Sequence, residues 1–543
     1  MGKKNSKNIT DGFFLCGRKP IYTGIERFDP EDEGGLIAEV NSALTIHIEN
    51  ILAEDYLYWY RRGLTPIYGR TKLVRPEICN KLSENHAGTI VDFKNGYFLT
   101  QPATYVLRKD KKGENDEVMK LNEYLYRSGK QRADNKIIDW FHTVGKGVLF
   151  VQSNDDNEVP FVAYSVDPRC AFVVKSLKPG NAPVYGVNVV CEGNKITIDV
   201  SDDTYTYKLL GTLRSKLATP YPTQICTAFE VVEKVPNPLK AVPLIEYYYN
   251  SVQMGAFESV VPILDAINAI QSDRLDGLDQ FIQSLLVFYN CELGTDDEGN
   301  PQTPAMVRAA GALFLKSIGE NKADLKEISS NLNQTQTQVL VDYLYEKAMT
   351  ICGMPNSNST NRGSDARMGA ALVSNGWYQA DTMARNTEDL FVESNSYFDK
   401  IILRILKGKG LIKDLSESDI QLQFVRNETV NAQSKAQTLN TYLSAGLHPI
   451  LALTKSGASN DPISDFEMSQ DYLKMRWGDP ENPDVLPSSA QSLPAPAEIK
   501  TPNDGSQSVG NTTGGGGVRS YWQIRNGKRV LISGYDRTET DVQ

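Results

Sequence analysis

The chain has 543 residues, room for about three or four structural units at roughly 100–200 residues each. Apolar residues make up 40% of it and charged residues 23%, which excludes collagen-like, mucin-like and wholly disordered chains. Lysine plus arginine number 57 against 67 aspartate plus glutamate, and the net charge of −10 argues against a tight, static nucleic-acid binder while allowing loose contact with DNA.

Residues 1–35 are polar and Gly-rich and read as an arm. Met1 to Asn8 are basic and polar with no apolar run behind them, so no secretory signal is expected. The Met1-Gly2 and Ser6 pattern fits myristoylation but is too short and common to carry weight. Residues 36–62 read as a helix, because Ile37, Val40, Leu44, Ile48, Ile51 and Leu52 recur at three- and four-residue steps. Tyr56, Tyr58, Trp59 and Tyr60 close it beside Arg61 and Arg62. That cluster invites base stacking, but ordinary packing is the better reading. A further helix is expected to begin near Pro76 and run towards Leu99, since the residue before a proline is biased to extended backbone. Residues 117–144 look helical. Between 147 and 250, short β-branched and aromatic runs bounded by Asn, Asp, Gly and Pro predict antiparallel strands: 148–152, 161–166, 172–174, 187–190, 196–200, 205–209 and 228–232.

Long helices follow. Val260, Leu264, Ile267, Ile270, Leu275, Leu278, Ile282 and Leu285 keep helical steps, with Pro262 either in the first turn or at a kink. Residues 294–330 interrupt with Gly and Pro around one apolar run, 312–315. A helix over 332–352 is predicted to carry Val339, Leu340, Tyr343, Leu344, Ala348 and Ile351 on one face. Residues 354–365 are small and polar and read as a loop, followed by a long helix at 366–407. Clean alternation predicts a half-buried strand at 419–425, and 430–477 look like short helices. From 479 the chain reads as a flexible linker. Near its end, Asn526-Gly527 between two β-prone runs at 521–532 predicts a hairpin.

Several chemistries find no support. The seven cysteines contain no CxxC, and the closest two, Cys170 and Cys191, are 21 apart, which suits a reducing compartment better than a zinc ribbon or disulfide scaffold. The four histidines include no i, i+4 pair, and the sequence has neither a P-loop nor a GxSxG elbow. Asp296 to Asn300 lack the ligand spacing of an EF-hand and read as a solvated turn. No run reaches the roughly 18 apolar residues of a membrane span. No cofactor, metal or catalytic residue is therefore expected.

The runs 68–82 and 90–99 resemble the N-terminal signature of tailed-bacteriophage portal proteins of the SPP1 type. Residues 265–276 are similar to their first stem helix, and the strand 419–425 with Arg426-Asn427-Glu428 to their strand before the C-terminal helices. The resemblance covers about residues 36–477, in the same order, and rests on that order rather than on any one motif. It implies an α+β portal-protein fold with an α/β wing, a two-helix stem, a small α/β clip and a helical crown, assembled as a ring of twelve subunits around a DNA channel.

On that basis the expected division is an arm at 1–35, wing at 36–250, first stem helix at 251–290 and clip at 291–331. The second stem helix would be 332–353, the channel loop 354–367, and the long helix with a wing return strand 368–428. The crown would be 429–478, with a flexible tail and hairpin at 479–543. In the channel loop, Asn356, Asn358, Asn361, Arg362 and Arg367 are the candidates for DNA contact, the bland alternative being a surface loop. In the clip, Arg308, Lys316, Lys322 and Lys326 are candidates for facing terminase and connector proteins. Basic residues between 519 and 529 read as a solvated hairpin face. The implied partners are eleven further copies of the chain, double-stranded DNA, the terminase large subunit, the major capsid protein and a head-completion adaptor, with no membrane. The implied place is the portal vertex of the virion, after assembly in the host cytoplasm. A non-viral interaction scaffold and an enzyme with a cryptic site are the competing readings.

Overall fold

The structure, a computed structural model, describes residues 16–73, 76–99, 101–108, 115–224, 228–282, 285–289, 291–293, 315–317, 324–328, 334–355, 377–424, 432–459, 462, 465–470, 521–525 and 528–532. The chain divides into residues 1–466 and residues 467–543.

The first helix, α1 (Glu33–Arg61), begins where the Asp32 carboxylate accepts the Gly35 N–H at 2.9 Å. Its first half buries Leu36, Val40, Ala43 and Leu44 against a five-stranded sheet. That sheet has the order β1 (Tyr22–Thr23), β5 (Ala171–Ser176), β6 (Pro183–Ser201), β7 (Tyr205–Leu217), β8 (Phe229–Pro236). The runs at 187–190 and 196–200 are one strand of 19 residues, β6, rather than two. Between them the pairing with β7 shifts register from Gly193 to Lys195, with Gly193 at φ +64°, and the strand runs on through this irregularity.

A second core lies between helices and a three-stranded sheet ordered β4 (Phe161–Val166), β3 (Lys146–Ser153), β9 (Leu244–Tyr248). Helices α2 (His86–Phe98), α3 (Asn115–Arg127), α4 (Lys130–Val144) and α7 (Trp377–Gly408) close over it. Helix α7 buries Ala380, Ala384, Thr387, Phe391, Asn395, Phe398, Ile402 and Leu406, a stripe at three- and four-residue steps. Residues 366–376 of the expected helix lie outside the described residues. Gly145 ends α4 at φ +94°, and a Cβ there would sit 2.0 Å from the Gln253 carbonyl oxygen, so the tight hand-over from α4 to β3 requires glycine.

Three expected boundaries move. Helix α2 starts at His86, not near Pro76, because Asn85 caps it by accepting the Gly88 N–H at 3.1 Å. The strand expected at 419–425 is β14 (Ile420–Gln423), paired antiparallel with β2 (Thr104–Leu107) more than 300 residues earlier. Helix α5 (Val261–Ile282) starts one residue before Pro262, where a missing N–H is harmless, and stops short of Leu285, which opens strand β10 (Leu285–Tyr289). Strand β10 pairs with β13 (Asp324–Ile328), and β11 (Cys291–Leu293) with β12 (Leu315–Ser317). Helix α6 (Gln334–Ile351) returns along α5, and α8 (Ala432–Ser444) and α9 (Pro449–Ser456) pack on each other.

In residues 467–543, strands β15 (Tyr521–Arg525) and β16 (Lys528–Ile532) form the expected hairpin, with Arg525 opposite Lys528.

Candidate functional site: a helix pair and the strap laid along it

Helix α5 carries two faces. Val261, Leu264 and Ile267 turn into a core shared with Leu57 and Tyr60 of α1, Ile90 of α2, and Val341 and Ala348 of α6. On a second face, Asn268, Ser272 and Asp276 follow one another at every fourth residue, and each is at most 1% exposed.

Buried polar side chains must find partners, and here an extended strap supplies them. The N–H of Glu84 donates to Asn268 at 2.8 Å, that of Leu82 to Ser272 at 3.0 Å, and that of Asn80 to Asp276 at 2.7 Å. Two residues of extended chain advance about 6.6 Å and four residues of helix about 6 Å, so the two repeats stay in step over three rungs. The Asn80 side-chain amide extends the ladder to Asp279 at 2.6 Å.

Charge locks the far end of the strap. Arg70 and Lys72 both pair with Asp273 and Asp276. Burial alone would raise the Asp276 carboxyl, but the hydrogen bonds from Lys72 and Asn80 hold it below its ordinary value. Across to the returning helix, Arg274 donates to Gln338 at 2.7 Å.

Helix α6 does not place its apolar residues as expected. Leu344 and Ala348 turn inward with Val341, Met349 and Cys352. Val339, Leu340, Tyr343 and Ile351 turn outward, at 64, 47, 55 and 47% exposure. Leu275 and Leu278 of α5 are also exposed. The helix therefore carries two apolar stripes, of which one is covered. Periodicity reveals that both exist and does not say which faces in.

Asn356, Asn358, Asn361, Arg362 and Arg367 lie outside the described residues, as do Arg308 and Lys322. Lys316 stands opposite Glu292 in the β11–β12 pair, and Lys326 opposite Val287 in β10–β13.

The aromatic cluster at the end of α1 is packing. Tyr60 is buried, stacks on Phe257 at 5.8 Å and donates to Asp265 at 2.9 Å. Tyr58 stacks on Trp140, and the guanidinium groups of Arg62 and Arg169 lie 4.0 and 4.1 Å from its centroid. So crowded a ring has no face left for a base. Among the described residues, no three His, Cys, Asp or Glu side chains gather as a metal site. His47 is fully buried against Phe172, and burial pushes its pKa well below the ordinary value.

Strap residues 70, 72, 80 and 82 and the helix face from Asn268 to Asp276 fall in two of the stretches that resemble portal proteins, 68–82 and 265–276, and they prove to be each other's binding partners. A family model described as phage portal protein, SPP1 Gp6-like, matches residues 67–450. The chain belongs to that family. The match takes in the strap, both helices and the return strand, and lies inside the 36–477 expected from the sequence. Portal proteins are structural proteins of phage, and that coarse role holds for this chain. No curated protein matches it. No helix among the described residues is long and apolar enough to cross a membrane.

Proposed function

We propose that this portal protein forms a ring of twelve copies at one capsid vertex, with an axial channel for DNA packaging and ejection. The uncovered apolar stripe on α6 carries this reading. Val339, Leu340, Tyr343 and Ile351 are exposed on a helix whose other side is already packed, and Leu275 and Leu278 of α5 are exposed as well. A helix that is apolar on both sides wants cover on both sides, and a repeated neighbour supplies it. Heterologous contact between copies closes into a ring when the rotation allows.

In this reading α5 and α6 are the stem, and β10–β13 with β11–β12 are the clip that receives the terminase large subunit and later the head-completion adaptor. The sheets with α1 to α4 form the wing, held in the shell of major capsid protein. The helices after 431 are the crown. Residues 354–367 form the channel loop, with Asn356, Asn358, Asn361, Arg362 and Arg367 touching passing phosphates loosely. Each well-formed cation–phosphate contact adds about one unit to the salt dependence of affinity, so few contacts let DNA slide. The chain performs no catalysis, and a separate motor supplies ATP hydrolysis. The ring assembles in the host cytoplasm and stays in the virion.

Electron microscopy of the purified protein, with its mass in solution, tests the proposal. Rings of about twelve subunits with an open axis are expected, and a closed dimer would overturn it. Deleting residues 356–364 should leave rings intact and lower DNA packaging; unchanged packaging would remove the loop from the mechanism.

A further inference from the structure

The C-terminal end of α1 opens into a cleft of about 710 Å³ between α1, α2 and α4. That size suits a short peptide or a small molecule. Its walls carry four cations, Arg61, Arg62, Arg132 and Lys136, against two carboxylates, Asp92 and Asp139. Arg61 engages both carboxylates, at 3.1 and 2.5 Å. Arg62 lies over Tyr58 and has no ion pair among the described residues. Arg132 and Lys136 are exposed one turn apart on α4 and have no ion pair there either. A net positive cleft on a chain of charge −10 calls for an anion. Duplex DNA is too wide to enter it, and the covered faces of Tyr58 leave no platform for a base, so an acidic peptide fits best.

The other end of the same helix presents one. Asp29, Glu31, Asp32 and Glu33 are all exposed. Asp32 caps α1 and Asp29 accepts the Glu31 N–H at 3.0 Å. The carboxylates of Glu31 and Glu33 have no hydrogen-bond or ion-pair partner among the described residues; Lys234 meets this segment at the Pro30 carbonyl and lies over the Tyr205 ring. Helix α1 has 29 residues, a rod of about 43 Å, so its acidic start cannot fold back onto its own basic end.

We propose that the cleft of Arg62, Arg132 and Lys136 receives the acidic segment 29–33 of a neighbouring copy of the chain. Such a contact is head-to-tail, the kind that generates rings, and it fixes the order of copies by charge. The inference rests on the ring reading above and adds a second contact, outside the helix pair, to it.

Four forms of the full chain test it: wild type, Arg62→Glu/Arg132→Glu/Lys136→Glu, Asp29→Lys/Glu31→Lys/Glu33→Lys, and the two sets combined. Light scattering across a dilution series reads assembly, and circular dichroism checks folding. Each set alone should raise the concentration needed for half-assembly at least about tenfold, and the combination should restore it. The pair Lys136→Glu with Glu31→Lys gives the same comparison with least disturbance. Wild-type rings left unchanged by both sets would overturn this contact alone. A loss with the cleft set that the combination fails to restore would overturn the occupant. A wild type that stays monomeric would overturn the ring reading and this inference with it.

Discussion

Asn80 donates twice to one oxygen of Asp276, through its backbone N–H at 2.7 Å and its side-chain amide at 2.9 Å. The other oxygen of that carboxylate takes Arg70 and Lys72. One buried side chain thus holds the strap on α5 at residues 70 and 72 and again at residue 80.

Replacing Asp276 by alanine leaves the Asn80 N–H and two cations without their acceptor. Losses of that kind cost about 2–4 kcal/mol, and Asp276→Asn should cost less because it keeps an acceptor for Asn80. Urea unfolding of the two variants checks the order. The folded carboxyl lies below its ordinary 3.8, so its contribution is complete above that value and fades as pH falls through it. Acid unfolding should begin at higher pH in wild type than in a variant whose strap is tied by other means; equal midpoints would show that Asp276 does not hold it.

The strap also shows where sequence reasoning stops. Pro76 after an extended residue is a sound local signal for a helix start, yet residues 80, 82 and 84 spend their N–H groups on α5 instead. The true start was written in Asn85 and Gly88, a cap visible only once Pro76 is set aside. The strands between 146 and 236, the hairpin at 521–532 and α1 were legible because each carries its own period and punctuation, whereas β9 at 244–248 was not among the expected runs. The direction of the α6 stripes was not, because two apolar faces give one pattern. The rungs at Asn268, Ser272 and Asp276 were readable as a four-residue spacing, but nothing local says that such a face is buried.

Arg18 ties the start of the described chain to the base of α5. Its guanidinium meets Glu258 at 2.5 Å with both side chains fully buried, and Glu258 also accepts the Gly17 and Gly255 N–H groups at 3.2 and 2.7 Å. Removing one partner of a buried pair typically costs about 3–5 kcal/mol, since the other charge is stranded. Arg18→Met should lose about that much in denaturant unfolding. Arg18→Met with Glu258→Gln should lose less than the two single changes added together. Additive losses would mean that the pair is not coupled.

Asp399 behaves in the opposite sense to Asp276. Burial raises its carboxyl to about 7, opposed by the hydrogen bond from Tyr105 and by Lys130. A folded value above the unfolded one means that its contribution is present at low pH and is lost as pH rises towards 7. At about 1.4 kcal/mol per unit, a rise from 3.8 to about 7 is on the order of 4 kcal/mol. Asp399→Asn, still an acceptor for Tyr105, should gain on wild type as pH rises from 5 to 8. A stability difference that stays flat across that range would show the carboxyl ionised throughout.

The outward stripe of α6 separates folding from assembly. Leu340 and Tyr343 are exposed, so Leu340→Glu and Tyr343→Glu should shift monomer stability by no more than about 0.5 kcal/mol. Tyr343→Glu even sets a Glu four residues before Lys347, a favourable helical pair. Ala348 is fully buried against α5, and Ala348→Glu should unfold the chain. If neighbours cover the stripe, each outward change puts a charge into a dry contact once per copy, so rings should disappear while the monomer melts unchanged. Rings that persist with both Leu340→Glu and Tyr343→Glu would show that the stripe faces water in the assembly, and the cover for α6 would have to be sought elsewhere.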